Sequence, residues 1–218
     1  MKIVLITSAI QEELSGLEKI NQKKIKNYKF YLYSLGIGKI NALLKLIEIF
    51  NKKFYKENLE IIFLGSGGSY GALVHPFIYS NLFINYDLGS LKNKSKNLES
   101  ISYLIKTNMG SISKGFIKKN PEMLQGIVNS TDSITLSPIT KMHFYKINPN
   151  LKELKIPIVE NLELYGIAKF CMIYNIPLSA FLSITNKVGK TASEDWKKNY
   201  KTLAVKFNKL LKNYLESI

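Results

Sequence analysis

The sequence predicts an α/β fold in which helices cover both faces of a sheet, and three observations predict it. Apolar runs of strand length stand at residues 3–6, 61–64 and in the stretch from Pro177 to Thr185, the pattern of strands buried on both faces. Between them lie segments of helical period at 39–50, 162–174 and 193–215, and strand–helix alternation of this kind makes a sheet with helices packed on it. Short polar or glycine-bearing segments follow the apolar runs at 7–13, 65–69 and 185–192, where such folds place ligands.

In chain order, residues 2–9 form a buried strand, Ile3-Val4-Leu5-Ile6 followed by small Thr7-Ser8-Ala9, and 11–21 suits a helix. Residues 28–35 alternate aromatic with polar or small side chains, as a strand does. Gly36-Ile37-Gly38 turns the chain into a helix over 39–50, with Ile40, Leu43, Leu44, Ile47 and Phe50 on one side. The strand Ile61-Ile62-Phe63-Leu64 enters Gly65-Ser66-Gly67-Gly68, and 77–86 forms a further strand. The stretch 92–119 has no legible period. Asn120-Pro121-Glu122 reads as a helix start, with a strand over 132–136 after it. A helix from 162, a strand from Pro177 and a last helix over 193–215 complete the chain. On that last helix Trp196, Tyr200, Leu203, Phe207, Leu210 and Tyr214 make a core stripe. No repeat or linker composition divides residues 1–218, so one domain is expected.

Composition narrows the function classes. All 31 Lys-plus-Arg residues are lysine, and the formal net charge is +15. The lysines are spread from Lys2 to Lys212 in short solvated clusters without a nucleic-acid motif, so specific nucleic-acid binding is not expected, although weak attraction to polyanions is. The lack of arginine weighs against bidentate phosphate recognition. A single cysteine, Cys171, allows no intrachain disulfide. No apolar run is long enough to span a bilayer, and Gln11-Glu12-Glu13 follows the first apolar run too closely for a signal peptide. A cytoplasmic protein is the expectation. His75 and His143 stand apart, so no metal site is expected.

The stretch Val159-Glu160-Asn161-Leu162-Glu163 opens the helical run to Tyr174. In helical geometry Glu163 shares a face with Ile167, Phe170, Cys171 and Tyr174. A carboxylate at the head of an apolar stripe needs partners. Two explanations stand: a first-turn acid favoured by the helix dipole, or a carboxylate whose partners are the hydroxyls of a bound sugar.

Five segments, in order along nearly the whole chain, resemble the purine nucleoside phosphorylase and nucleosidase superfamily, and within it the futalosine hydrolases. They are Met1-Lys2-Ile3-Val4-Leu5-Ile6 leading to Gln11-Glu12-Glu13-Leu14; Gly36-Ile37-Gly38-Lys39-Ile40-Asn41-Ala42; Tyr86-Asp87-Leu88-Gly89; Glu160-Asn161-Leu162-Glu163; and Ile184-Thr185-Asn186-Lys187-Val188-Gly189 with Trp196 beyond. The resemblance implies a three-layer α/β/α sandwich whose central mixed sheet is partly barrel-like. It implies that Glu163 binds ribose hydroxyls, that Glu13 orients a water (with Glu12 one register step away), and that Ser66 and Gly67 line the sugar and water side. Leu162 then packs under the sugar, and the backbone around Ile139 and Thr140 faces the base. Asn186 stands where methylthioadenosine nucleosidases carry an aspartic acid; its amide donates a hydrogen bond to the base but cannot supply a proton in the same way. A turn-capping asparagine is the alternative. Two departures stand out. Leu164-Tyr165-Gly166 replace the family's small residues, and Thr191-Ala192 replace its charged Arg-Asp pair.

The implied activity is hydrolysis of a purine nucleoside, with futalosine as substrate and hypoxanthine as product in menaquinone biosynthesis. Methylthioadenosine or S-adenosylhomocysteine is the near alternative, and a catalytically degenerate polyanion-binding member is the alternative of another class. No cofactor is implied, and a homodimer is.

Overall fold

The computed structural model describes residues 1–72, 75–95 and 104–218. Among them nine strands form one sheet: β1 (Lys2–Ser8), β2 (Lys24–Ile25), β3 (Tyr28–Ser34), β4 (Leu59–Ser69), β5 (Phe77–Ile84), β6 (Ile105–Lys106), β7 (Leu124–Asn129), β8 (Ile158–Glu160) and β9 (Leu178–Lys187). The path runs β2-β3-β1-β4-β8-β7-β5-β6, and β9 pairs with both β4 and β5. That double pairing closes β4, β8, β7, β5 and β9 into a five-stranded ring, the barrel-like part of a mixed sheet. The helices are α1 (Lys39–Ile49), α2 (Leu88–Leu91), α3 (Ser111–Lys119), α4 (Lys141–Ile147), α5 (Asn150–Glu153), α6 (Leu164–Ile173) and α7 (Ala192–Ser217).

Strand alternation divides the core. Ile3 and Leu5 of β1, with Ile61 and Phe63 of β4, pack toward α1 and α6, where Ala42, Leu46, Ile167 and Cys171 meet them. Their neighbours Val4, Ile6, Ile62 and Leu64 face the other way, toward Phe116 of α3 and Phe207, Leu211 and Leu215 of α7. Successive side chains point to opposite faces, so where a strand is covered on both sides consecutive positions are apolar, which is why 3–6 and 61–64 read as unbroken runs.

Several local expectations are corrected. The segment 11–21 is not one helix but two short 3₁₀ turns, Gln11–Leu14 and Glu18–Ile20. Gly16, at φ +87°, separates them by a conformation no helix interior accepts. Asn120-Pro121-Glu122 follows a helix rather than opening one: Asn120 caps α3, and the chain then enters β7. Residues 132–136 are not a strand, because the Thr135 N–H goes to the Glu160 carboxylate instead of a ladder. Residues 65–69 and 185–187 are the ends of β4 and β9 rather than loops. On α1 the buried positions are Ala42, Leu46 and Ile49, whereas Ile40 and Leu44 face outward at 72% and 59% exposure. Apolar residues occur on most of that helix, so period alone does not fix its inner face. On α7 the buried set is Ala192, Ala204, Phe207, Asn208, Leu211 and Leu215, and Leu210 turns outward. Part of the stretch 92–119, residues 96–103, lies outside the described residues. The described remainder after it forms β6 and α3.

Candidate active site

Three segments far apart in sequence meet at the ends of β4, β8 and β9. The first departure from regular structure is the link between β8 and α6. Asn161 Oδ1 accepts the N–H groups of Glu163 (3.0 Å) and Leu164 (3.1 Å), so the asparagine caps α6. Its amide donates to the Ser66 carbonyl at 3.2 Å, tying the link to β4. Relieved of capping, the Glu163 side chain crosses to the turn before α1, where Oε1 accepts the Gly38 N–H at 2.9 Å. Gly38, at φ +89°, can aim its N–H there because it has no Cβ. Glu163 is 3% exposed, and burial raises its pKa against the lowering effect of the Gly38 and Asn161 hydrogen bonds.

Glu13 sits in the first 3₁₀ turn, 4% exposed, while Glu12 beside it is exposed. Its Oε1 accepts two hydrogen bonds from Ser66, from the backbone N–H (2.9 Å) and from the hydroxyl (2.8 Å). Oε2 is buried without a hydrogen-bond partner. Burial pushes this carboxyl up to about 7; the Ser66 hydroxyl works against the rise, and the nearby Glu163 charge adds to it. Asn208 on α7 holds the turn in place by donating to the carbonyls of Glu13 (2.8 Å) and Ser15 (2.9 Å). A carboxylate balanced near neutrality, with one oxygen free, is suited to taking a proton.

Asn186 is the last but one residue of β9, at 9% exposure. Its Oδ1 accepts from the Thr185 hydroxyl (2.8 Å), and its amide donates to the Lys187 carbonyl (3.2 Å), leaving one amide proton for another acceptor. Gly68 permits this packing, since a Cβ there would stand 2.8 Å from Asn186 Nδ2 and 3.0 Å from Val188 Cγ2.

These groups line a cavity of about 200 Å³. Glu13, Ser66, Gly67, Leu162, Glu163 and Asn186 all face it. Ile139 and Thr140 do not. Ile139 is packed into the core beside Phe144, and Thr140 is the exposed cap of α4, sharing a capping box with His143. Ile134, on the segment pinned by the Glu160–Thr135 hydrogen bond, supplies the wall instead.

Sequence reasoning missed Glu160 and the cavity-facing role of Trp196. Glu160 accepts from the Tyr70 hydroxyl at 2.6 Å and the Thr135 N–H at 3.0 Å while facing the cavity. Its signal was present as the first acid of Glu160-Asn161-Leu162-Glu163. Trp196, assigned to a core stripe, lines the cavity and donates from its indole to Ser66 Oγ at 2.8 Å. Ala192 also lines the cavity, whereas the Asp195 carboxylate accepts from the Thr191 hydroxyl in the first turn of α7 and does not reach it.

Comparison with known proteins agrees with this architecture. The family model described as the phosphorylase superfamily matches residues 12–216. A 5'-methylthioadenosine/S-adenosylhomocysteine nucleosidase of Buchnera aphidicola is 27% identical over 243 aligned positions, covering 100% of this chain and 99% of that protein. A mutant futalosine hydrolase of Helicobacter pylori superposes with a TM-score of 0.76 at 16% identity, both chains covered in full. A 5'-methylthioadenosine/S-adenosylhomocysteine nucleosidase of Neisseria meningitidis, in complex with methylthio-immucillin-A, does so at 0.78 and 16%, again over the whole of both chains. At such identities the structural likeness speaks for the fold.

Proposed function

The chain belongs to the phosphorylase superfamily, and from that premise we propose that it is a nucleosidase, a hydrolase that cleaves the N-glycosidic bond of a purine nucleoside. The observation that carries the reading is the convergence of Glu13, Glu163 and Asn186, from three distant segments, on one cavity. Residues 1–218 act as one domain in this reading, in keeping with the continuous nine-stranded sheet.

Cleavage passes through an oxocarbenium-like sugar, as in glycoside hydrolysis generally. Glu163 keeps one oxygen on the Gly38 N–H, and its remaining lone pairs accept from the ribose hydroxyls, fixing the sugar and countering its developing positive charge. Leu162 packs under the ring. Ionised Glu13, held at Oε1 by the Ser66 N–H and hydroxyl, accepts the proton of the attacking water. The Asn186 amide donates to the departing base. Water is the nucleophile, because the chain has no arginine to clamp phosphate.

The substrate we favour is futalosine, with hypoxanthine as the product. An amide donor stabilises the anion of a 6-oxopurine by hydrogen bonding without having to protonate it, whereas an adenine leaving group gains more from an acid. The full-length similarity to methylthioadenosine/S-adenosylhomocysteine nucleosidases supports those nucleosides as the second reading. A cytoplasmic homodimer belongs to the same proposal. Among the described residues no helix is long and apolar enough to cross a membrane, and Ile40 and Leu44, near cavity-lining Ile37, are apolar surface that a second subunit would cover. Base release from futalosine and methylthioadenosine, compared between the unaltered protein and Glu163→Gln, tests the proposal. Equal activity in the two proteins removes Glu163 from the ribose.

A further inference from the structure

We infer that Trp196 is a positioning residue for Glu13, acting through the Ser66 hydroxyl rather than on the reacting atoms. The indole N–H can only donate, and it donates to Ser66 Oγ at 2.8 Å. A serine hydroxyl has one proton. With its oxygen receiving the indole, that proton is directed to Glu13 Oε1, 2.8 Å away. The series therefore runs in one sense, from indole to hydroxyl to carboxylate, and each bond polarises the next. Its consequence lies at the far end. Oε1 is held by two Ser66 donors, and the unpartnered Oε2 is left as the oxygen that receives a proton.

The indole is itself held. Its ring stacks on Tyr200 one turn along α7, with centroids 4.3 Å apart and planes 11° from parallel. The same helix fixes the other site segments: Asn208 grips the backbone of Glu13 and Ser15, and Asn199 donates to the Thr185 carbonyl at 2.8 Å, next to Asn186. Helix α7 thus acts as a brace for Glu13, Ser66 and Asn186. The ionisable groups around Glu13 are Glu163 and Glu160 across the cavity and Tyr200 on α7. Glu194, Asp195 and Lys197 flank Trp196 in the chain.

Trp196 is the chain's single tryptophan, so tryptophan emission comes from this indole alone. The test is a fluorescence titration of the ligand-free protein from pH 5 to 9, which does not depend on turnover. Emission is expected to titrate with a midpoint at about 7, where Glu13 ionises, and to become flat in both Glu13→Gln and Ser66→Ala. A flat titration in the unaltered protein, or one that persists in Glu13→Gln, overturns the inference. A second arm rests on the nucleosidase reading. Trp196→Phe keeps a ring but loses the N–H, and it is expected to lower kcat ~10-fold, to move the acid limb of the pH profile upward, and to have no further effect in a Ser66→Ala background. A Trp196→Phe loss confined to KM, or equal in both backgrounds, assigns the residue to substrate contact instead. A positive titration with no turnover of any nucleoside leaves the series standing and removes only the proposed activity.

Discussion

Replacing Glu13 by glutamine is expected to stabilise the protein at neutral and alkaline pH while removing its activity. The carboxyl lies in a site that pushes its pKa from 4.5 up to about 7, chiefly because burial penalises the charged form. Between those two values the folded state holds a proton that the unfolded chain has released. Stability conferred by the protonated acid is therefore complete below 4.5 and lost as pH rises through 7. The full difference corresponds to ~3 kcal/mol, of which about 2.5 falls between pH 5 and 8. Glutamine has no charge to desolvate and can still accept from both Ser66 donors, although its new amide takes the unpartnered place of Oε2 at a cost of roughly 1 kcal/mol. Urea unfolding of both proteins at pH 5 and pH 8 measures the effect. The difference in unfolding free energy should move by about 2.5 kcal/mol in favour of the variant on going to pH 8. A pH-independent difference would mean that Glu13 titrates normally, and the account of its burial would be wrong.

Turnover is expected to rise with pH along a limb centred at about 7, since Glu13 acts as the ionised form, and Ser66→Ala should move that limb upward by removing a hydrogen bond that favours the carboxylate; pH–rate profiles of kcat/KM check both. Glu163→Gln should reduce kcat/KM by ~10²–10⁴-fold, the loss of two charge-assisted hydrogen bonds to ribose, with a circular dichroism spectrum like that of the unaltered protein. Asn186→Asp should improve release of adenine relative to hypoxanthine and make it fall as pH rises, because the aspartic acid donates only when protonated; base release at several pH values decides this. Gly110→Ala should destabilise the fold by about 3 kcal/mol or more, as the new Cβ would collide with the buried Glu60 carboxylate; thermal unfolding measures the cost.

What was legible in the sequence was what period and spacing specify. The two-sided strands β1, β4 and β9 could be read because burial on both faces leaves runs of consecutive apolar residues at 3–6, 61–64 and 180–182, and α6 and α7 because their apolar residues recur in helical register. Glu163 could be read as well, as an acid placed where four apolar neighbours leave it without local partners. Elements whose determinants are tertiary were not legible. Nothing near 131–136 says that Thr135 will bond to a carboxylate 25 residues away. The outward turn of Ile40 and Leu44 depends on how α1 meets α6, where Gly166 admits the backbone of Lys39. Ile139 and Thr140 were placed by analogy of position along the chain, and a capping box and core packing decided otherwise. Trp196 was read as core because spacing cannot distinguish a ring facing the interior from one facing a cavity; only the Ser66 contact separates the two.

The most direct test of the central claim is release of free purine base from futalosine, methylthioadenosine and inosine, followed with and without inorganic phosphate. Phosphate-independent release, greatest from futalosine and producing hypoxanthine and a free sugar hydroxyl, is the outcome expected of a cavity in which Glu13 directs water at a ribose held by Glu163. Release that requires phosphate, or no release from any of the three, would contradict it.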